Sequence, residues 1–334
     1  MKVDGGVGFD LDTVGAQAQE LEEMGYAGLM SAETAHDPFF PLLLAAQQTS
    51  KVELMTSIAV AFARSPMTLA NIGHDLNAYS KGRFVLGLGS QIRAHITKRF
   101  SMPWSSPAAR MREFILAMRA IWENWHEGKA LEFAGKFYTH TLMTPFFTPT
   151  GNDFGAPKVF LAAVGPKMTE VAGEVADGMI VHAFTTEKYL RETTLPSLEK
   201  GFAKAGKNRA DFEISYPVFV CTGQTEEELE EAKRATAQQI AFYGSTPAYK
   251  PVLDSIGVGD MQSELNAMSK QGRWVEMGQL ISPDIMTQFA IVGEPDQIAG
   301  QIKARYGDIV DRTSAAYANI PKSERVKIIN ELSA

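Results

Sequence analysis

The sequence predicts an α/β protein folded as a (β/α)8 TIM barrel. Three observations lead there. Short apolar runs alternate with amphipathic helical stretches along the chain. The runs are mostly continuous in apolar character, which suits parallel strands covered on both faces rather than half-wet antiparallel ones. No linker-like, repeated or low-complexity stretch divides the 334 residues, a length sufficient for one large barrel. A chain of this size buries roughly 75% of its unfolded surface and needs no disulfide or metal to hold a core.

The strand candidates are 2–8, 26–32, 52–60, 83–89, 158–164, 178–183, 213–221 and 308–318. The last is the poorest, because Asp311, Arg312 and Thr313 interrupt it. Between them, Asp12 opens a helix that carries Val14, Ala18 and Leu21 on one side and stops at Gly25. Ser106 and Pro107 supply an N-cap and a first-turn proline. Met111, Phe114, Ile115, Met118, Ile121, Trp122 and Trp125 then recur at helical steps. Thr225 and Glu228 read as a capping box, so the acidic run Glu226 to Glu231 is a solvated helix start, with a cation site as the alternative reading. Segment 126–157 is loop-rich with a short hairpin. Segment 243–290 exceeds what a barrel connection needs and is expected to be an insertion shaping the mouth of a single domain, 1–334. Phe242, Tyr249 and Trp274, at or near it, are either a substrate wall or core.

Thirty-two basic and 39 acidic residues give a net charge of −7, which argues against a broad nucleic-acid or acidic-membrane surface. The single cysteine, Cys221, excludes an internal disulfide and a cysteine-rich zinc site. No apolar run approaches the ~18 residues of a membrane span, and the start lacks the apolar core of a signal peptide. A cytoplasmic protein is expected. The six histidines (36, 74, 95, 126, 140 and 182) never occur as HxxxH or HExxH, so no metal site is expected.

In a barrel the chemistry sits at the C-terminal ends of the strands. There the sequence places Glu33, His36 and Asp37 after strand 2, and Ser57 and Ile58 leading to Phe62 and Arg64 after strand 3. Ser90, Gln91, Arg93 and His95 follow strand 4, Val164 to Lys167 follow strand 5, and His182 ends strand 6. The strand 5 segment has a clear mechanism. Gly165 permits close backbone approach, Pro166 begins a helix whose free N–H groups favour an anion, and Lys167 stands beside it. A plain βα turn is the alternative. Arg93, His95, Lys98 and Arg99 form a local basic cluster that would suit an anion or only solvent. Gly87-Leu88-Gly89 imitates a dinucleotide fingerprint, but Ile92 occupies the third glycine position and the expected acidic residue falls inside a helix.

Over about 2–320 the chain resembles the bacterial luciferase-like monooxygenase superfamily, and within it the oxidoreductases that use the deazaflavin coenzyme F420. The matching stretches are SAETAHDPFFPL, MTSIAVAFARSPMTLA, LNAYSKGRFVLGLGSQIRAHITKRFSMPW and AAVGPKMTEVAGEVADGMIVH. The resemblance implies a non-prolyl cis peptide at Ser57-Ile58 backing the cofactor ring. It also implies that Ser90 and Gln91 lie beside the cofactor's side chain, and that Val164, Gly165 and Pro166 form its phosphate turn; Lys167 and Arg93, read from the residues themselves, are the local cations expected to assist. A homodimer is implied too, through the apolar helices Phe39 to Leu44 and Met67 to Leu76. One departure stands out. Where the family's glucose-6-phosphate dehydrogenases carry an Asp-His pair and a later glutamate, this chain has Ala32-Glu33 and Ile92.

The function expected is hydride exchange between F420 and a small organic substrate, with Glu33 or His182 as acid/base and His36 close by. An FMN-dependent monooxygenase on the same barrel, and a non-catalytic cofactor-binding protein, are the competing readings.

Overall fold

The structure is a computed structural model describing residues 1–314 and 320–334. Eight parallel strands close a barrel: β1 (Lys2–Gly6), β2 (Gly28–Ser31), β3 (Glu53–Thr56), β4 (Phe84–Gly89), β5 (Lys158–Ala163), β6 (Gly178–Val181), β7 (Glu213–Tyr216) and β8 (Arg312–Ser314). Each strand pairs with the next in sequence, and β8 pairs with both β7 and β1, bringing Arg312 opposite Lys2. The covering helices are α1 (Val14–Glu23), α2 (Phe39–Gln48), α3 (Pro66–Tyr79), α4 (Pro107–Glu127), α5 (Pro166–Val175), α6 (Leu195–Ala205), α7 (Pro295–Tyr306) and α8 (Lys322–Ser333). No helix among the described residues is long and apolar enough to cross a membrane.

Strand alternation divides the apolar residues between two cores. Leu29, Leu54, Leu86, Leu88, Val159 and Leu161 face the helix layer. Met55, Val85, Phe160 and Ile180 fill the barrel interior. Below them, at the N-terminal end, lies a charged floor. Arg312 is fully buried and forks onto Asp4 at 2.7 and 2.9 Å, reaches Glu213 at 3.1 Å and also binds Glu53. Two of the three polar residues that weakened the last strand candidate, Arg312 and Thr313, therefore belong in the strand. Arg312 points inward to paired carboxylates, Thr313 donates to the Tyr216 carbonyl at 3.0 Å, and Asp311 lies just before the strand, accepting from the Ile214 N–H. Positions 315–318 of that candidate fall outside the described residues.

The candidate at 213–221 is two strands. Pro217 follows the last residue of β7, and without an N–H it cannot continue the ladder. Phe219–Cys221 instead pairs in parallel with Ala290–Val292, outside the barrel. The excursion between β7 and α7 thus extends on both sides of 243–290. It includes the helix Glu226–Gly244, and α7 takes the barrel position expected for that helix. Its side chains build a second core around Phe219, Ile240, Leu253, Leu265, Met277 and Phe289, which packs on Phe184 and Tyr189 after β6.

Smaller details also differ. Thr225 accepts from the Glu228 N–H at 3.2 Å, but Glu228 reaches back to the Gln224 N–H at 2.7 Å, one residue earlier than a capping box requires. Ser106 precedes α4 without a side-chain cap, and α1 begins at Val14, with Asp10 rather than Asp12 accepting in the turn before it. The expected hairpin is present as Phe133–Ala134 paired with Thr139–His140.

Candidate functional site

β3 ends at Thr56, and the next peptide bond, Ser57-Ile58, is cis. Ala59–Val60 then resumes pairing, now against Leu88 and Gly89 of β4. The two glycines of the Gly-Leu-Gly run make this bulge possible. A Cβ on Gly87 would lie 1.8 Å from the Thr56 carbonyl oxygen, and one on Gly89 would lie 2.8 Å from Ile58 Cδ1. Thr56 Oγ1 donates to the Gly87 carbonyl at 2.8 Å and completes the seam.

Glu33, after β2, ties the bulge from the other side. Its N–H donates to the Ile58 carbonyl at 3.1 Å, and its Oε2 accepts from the Val60 N–H at 2.7 Å. The same oxygen accepts from Arg64 Nη1 at 2.6 Å, while Arg64 Nη2 reaches Asp37 Oδ2 at 3.1 Å. Arg64, which the sequence places on the rim without a role, is therefore the cation of this network. Hydrogen bonding between Glu33 and Val60 ties the loop after β2 to the bulge after β3. His36 lies further out, exposed and stacked on Phe9 with ring centroids 5.3 Å apart.

After β4, Ser90 Oγ donates to the Gln91 carbonyl at 3.2 Å. Gln91 adopts a left-handed conformation, and its side-chain oxygen accepts from the Ile92 N–H at 2.9 Å. Arg93, His95, Lys98 and Arg99 are exposed, and Arg99 donates to the Thr34 carbonyl, joining this loop to the one after β2. After β5, Val164 is exposed and Gly165 has φ +76°, a region that glycine enters without steric cost. Nothing lies within 4 Å of where its Cβ would be. Pro166 starts α5, and the Thr169 N–H and Oγ1 both close on the Gly165 carbonyl, at 3.2 and 3.0 Å. Lys167 is exposed beside this helix start. The turn so formed offers open space, free helical N–H groups and a cation together.

His182, after β6, lies between two aromatic rings. Its Nδ1 accepts from the Phe184 N–H at 3.0 Å. Tyr243 meets it edge-on at 4.7 Å, and Tyr249 lies at 4.7 Å with a 30° tilt. Burial pushes its pKa down to about 4, so the ring is neutral at physiological pH. Burial and the neighbouring Tyr243 push the Tyr249 hydroxyl up to about 12. Of the aromatic residues noted from sequence, Tyr249 thus reaches the rim. Phe242 and Trp274 instead face each other at 5.8 Å on the excursion, half exposed. Tyr243 went unnoticed, and only its six-residue offset from Tyr249 marks it. A cavity of about 510 Å³ lies elsewhere on the excursion, lined by Lys233, Arg234, Ile281 and Met286.

The donor set fits a flat, anionic cofactor: an apolar bulge for a ring, and a glycine turn at a helix start with cations for phosphate. Among the described residues no group of three or more His, Cys, Asp or Glu gathers to hold a metal.

Comparison with known proteins agrees with this architecture. A protein of Mycobacterium tuberculosis, itself uncharacterized, is 53% identical over 312 residues, covering 93% of this chain and 92% of that protein. The 5,10-methylenetetrahydromethanopterin reductase of Archaeoglobus fulgidus is 26% identical over 265 residues, covering 78% of this chain and 75% of the reductase. Among solved structures, the coenzyme F420-dependent tetrahydromethanopterin reductase of Methanopyrus kandleri superposes with a TM-score of 0.79 at 19% identity, covering 98% of this chain and 96% of that one. The family model for luciferase-like monooxygenases matches residues 2–312, nearly the whole barrel, and the chain therefore belongs to the luciferase-like monooxygenase family.

Proposed function

We propose that this protein is an oxidoreductase that uses coenzyme F420 to exchange a hydride with a small organic substrate at the C-terminal mouth of the barrel. The observation that carries the proposal is the Ile58 bulge, seated against Gly89 and tied by Glu33, on the same rim as the open Gly165 turn. The names of the Archaeoglobus and Methanopyrus relatives support the cofactor and the reaction class. When bound, F420 supplies a hydride at a ring carbon.

The chain's own residues supply the rest. Ser57 and Ile58 back the ring, and Glu33 and Arg64 hold that backing in place. Ser90 and Gln91 line the cofactor's side chain. Val164, Gly165 and Pro166 offer backbone to a phosphate, with Lys167 and Arg93 as its cations. His182, neutral with its Nδ1 engaged, orients a substrate by donating a hydrogen bond and is not the proton acceptor at neutral pH. His36 stands at the outer edge, where solvent supplies and removes protons. The excursion from 217 to 294 closes one side of the mouth through Tyr243 and Tyr249, and the chain works as one catalytic unit.

A homodimer through α2 and α3 completes the proposal. On α2, Phe40 and Leu43 are 59% and 40% exposed and would form the apolar part of that contact.

Titration of the cofactor-free protein with F420 and with FMN tests the assignment. F420 is expected to bind at least about tenfold more tightly. Tighter binding of FMN would transfer the protein to the monooxygenase reading, and binding of neither would remove the cofactor assignment altogether.

A further inference from the structure

His182 follows Ile180 by two residues, and Ile180 belongs to the barrel's interior cluster. Strand alternation therefore turns the His182 ring toward the barrel axis, directly above that cluster. Three contacts fix it there: the Phe184 N–H on Nδ1, the edge of Tyr243 and the tilted face of Tyr249. A donor on Nδ1 leaves the proton of a neutral imidazole on Nε2. Among the described residues that Nε2–H has no partner. Among the described residues, none of its ring contacts carries a charge. The ring contacts are Tyr243 and Tyr249, with Phe184 stacked behind on Phe289, and Lys250 beside Tyr249 is paired with Asp254 at 2.5 Å.

We infer that His182 selects the substrate: its Nε2–H binds the oxygen of an uncharged carbonyl compound, an aldehyde or ketone, whose planar apolar part packs against Tyr243 and Tyr249. Two exclusions support this class. A carboxylate or phosphate at this end would be desolvated among aromatic rings with no counter-charge. A hydrocarbon of the same shape would leave a buried donor unpaired, which discriminates far more strongly than a missing methylene. The tyrosines come from the excursion, so the segment that distinguishes this barrel from a minimal one also shapes its substrate site. The inference deepens the function proposed above and rests on it.

The test uses acetophenone, ethylbenzene (the same ring without the carbonyl) and benzoate (the charged analogue) as probes, titrated calorimetrically into the F420-loaded protein. Acetophenone is expected to bind about tenfold more tightly than ethylbenzene, as one well-formed hydrogen bond implies, and more tightly than benzoate. In His182→Phe the preference for acetophenone over ethylbenzene disappears. In His182→Gln, which keeps an N–H donor, part of it returns. The F420 affinity of both variants stays at the wild-type value, which a merely structural role for His182 would not allow.

Equal binding of acetophenone and ethylbenzene, a preference for benzoate, no binding of any probe, or a preference that survives His182→Phe would each overturn the inference. The same titrations on the cofactor-free protein separate the two claims. Wild-type protein that binds acetophenone selectively but not F420 refutes the cofactor assignment and leaves the role of His182 intact.

Discussion

Glu33 and Arg64 form an ion pair at 2.6 Å between the loops after β2 and β3, and the oxygen that makes it also accepts the Val60 N–H. One carboxylate oxygen thus serves both an ion pair and the backbone that follows the Ser57-Ile58 bulge. Both side chains are largely withdrawn from solvent, at 6% and 16% exposure. Removing Arg64 leaves the Glu33 carboxylate buried without its counter-charge, whereas Arg64 without Glu33 keeps Asp37. Arg64→Ala is expected to destabilise the protein by about 3 kcal/mol in urea unfolding. The double variant Glu33→Ala/Arg64→Ala should lose clearly less than the sum of the single losses. Additive losses would show that the pair is not coupled.

The close approach at β4 separates two glycines that look equivalent in sequence. Gly87→Ala sets a methyl against the Thr56 backbone oxygen, which cannot move without breaking the strand, so soluble folded protein should be lost. Gly89→Ala meets the far end of the Ile58 side chain, which can shift. It should fold and bind F420 about tenfold more weakly. Ile58→Ala in that background, by removing both Cδ1 and Cγ1, should recover part of the affinity. Fluorescence titration reads all three variants.

Acid should destabilise the fold in two separable windows. Burial of Glu213 would raise its pKa, but hydrogen bonds from Lys158 and Lys2 and the charge of Arg312 outweigh this and hold it at about 2. A carboxyl lowered in the folded state contributes stability above its unfolded value and loses it as pH falls, here from 4.5 toward 2. His182 acts in a higher window. Burial lowers it to about 4, so between 6.5 and 4 the unfolded chain takes up a proton that the native ring does not, and acidification favours unfolding. Each window carries up to about 3 kcal/mol. Unfolding free energies measured from pH 7 to 3 should lose the upper slope in His182→Gln and the lower one in Glu213→Gln.

At the Gly165 turn, proposed to hold phosphate, Lys167 is exposed, and any charge it offers an anion is screened by salt. Lys167→Ala should weaken F420 binding severalfold at low ionic strength and hardly at all at high salt. Gly165→Ala, forced to φ +76°, should weaken binding at every salt concentration. Identical salt dependence in the two variants would mean that the turn does not hold an anion.

The barrel was legible because its signal is local: runs such as Phe84 to Gly89 are apolar throughout and end in rim residues. The glycine turn before α5 was legible for the same reason, since Gly165, Pro166 and the helix after them are contiguous. What escaped depends on residues distant in the chain. Gly87 and Gly89 could be denied a dinucleotide role from spacing alone, but their purpose depends on Thr56 and Ile58 in the neighbouring strand. Glu33 was legible as a rim carboxylate, whereas its partner Arg64 lies 31 residues away. The break at Pro217 was written in the sequence, yet the apolar residues on both sides masked it, because each side is a genuine strand.

The floor of the barrel bears on how the protein is made. Asp4 is synthesised 308 residues before the guanidinium that neutralises it. Until Arg312 leaves the ribosome, β1 has no β8 to pair with, and its buried carboxylate has no cation to take its charge inside. A nascent chain can assemble the helices and most of the strands, but the ring stays open at one seam and exposes two strand edges to pairing with other chains. Closure thus waits for the last barrel strand, and a chain cut short before it should reach the cell as a substrate for chaperones rather than as a smaller enzyme.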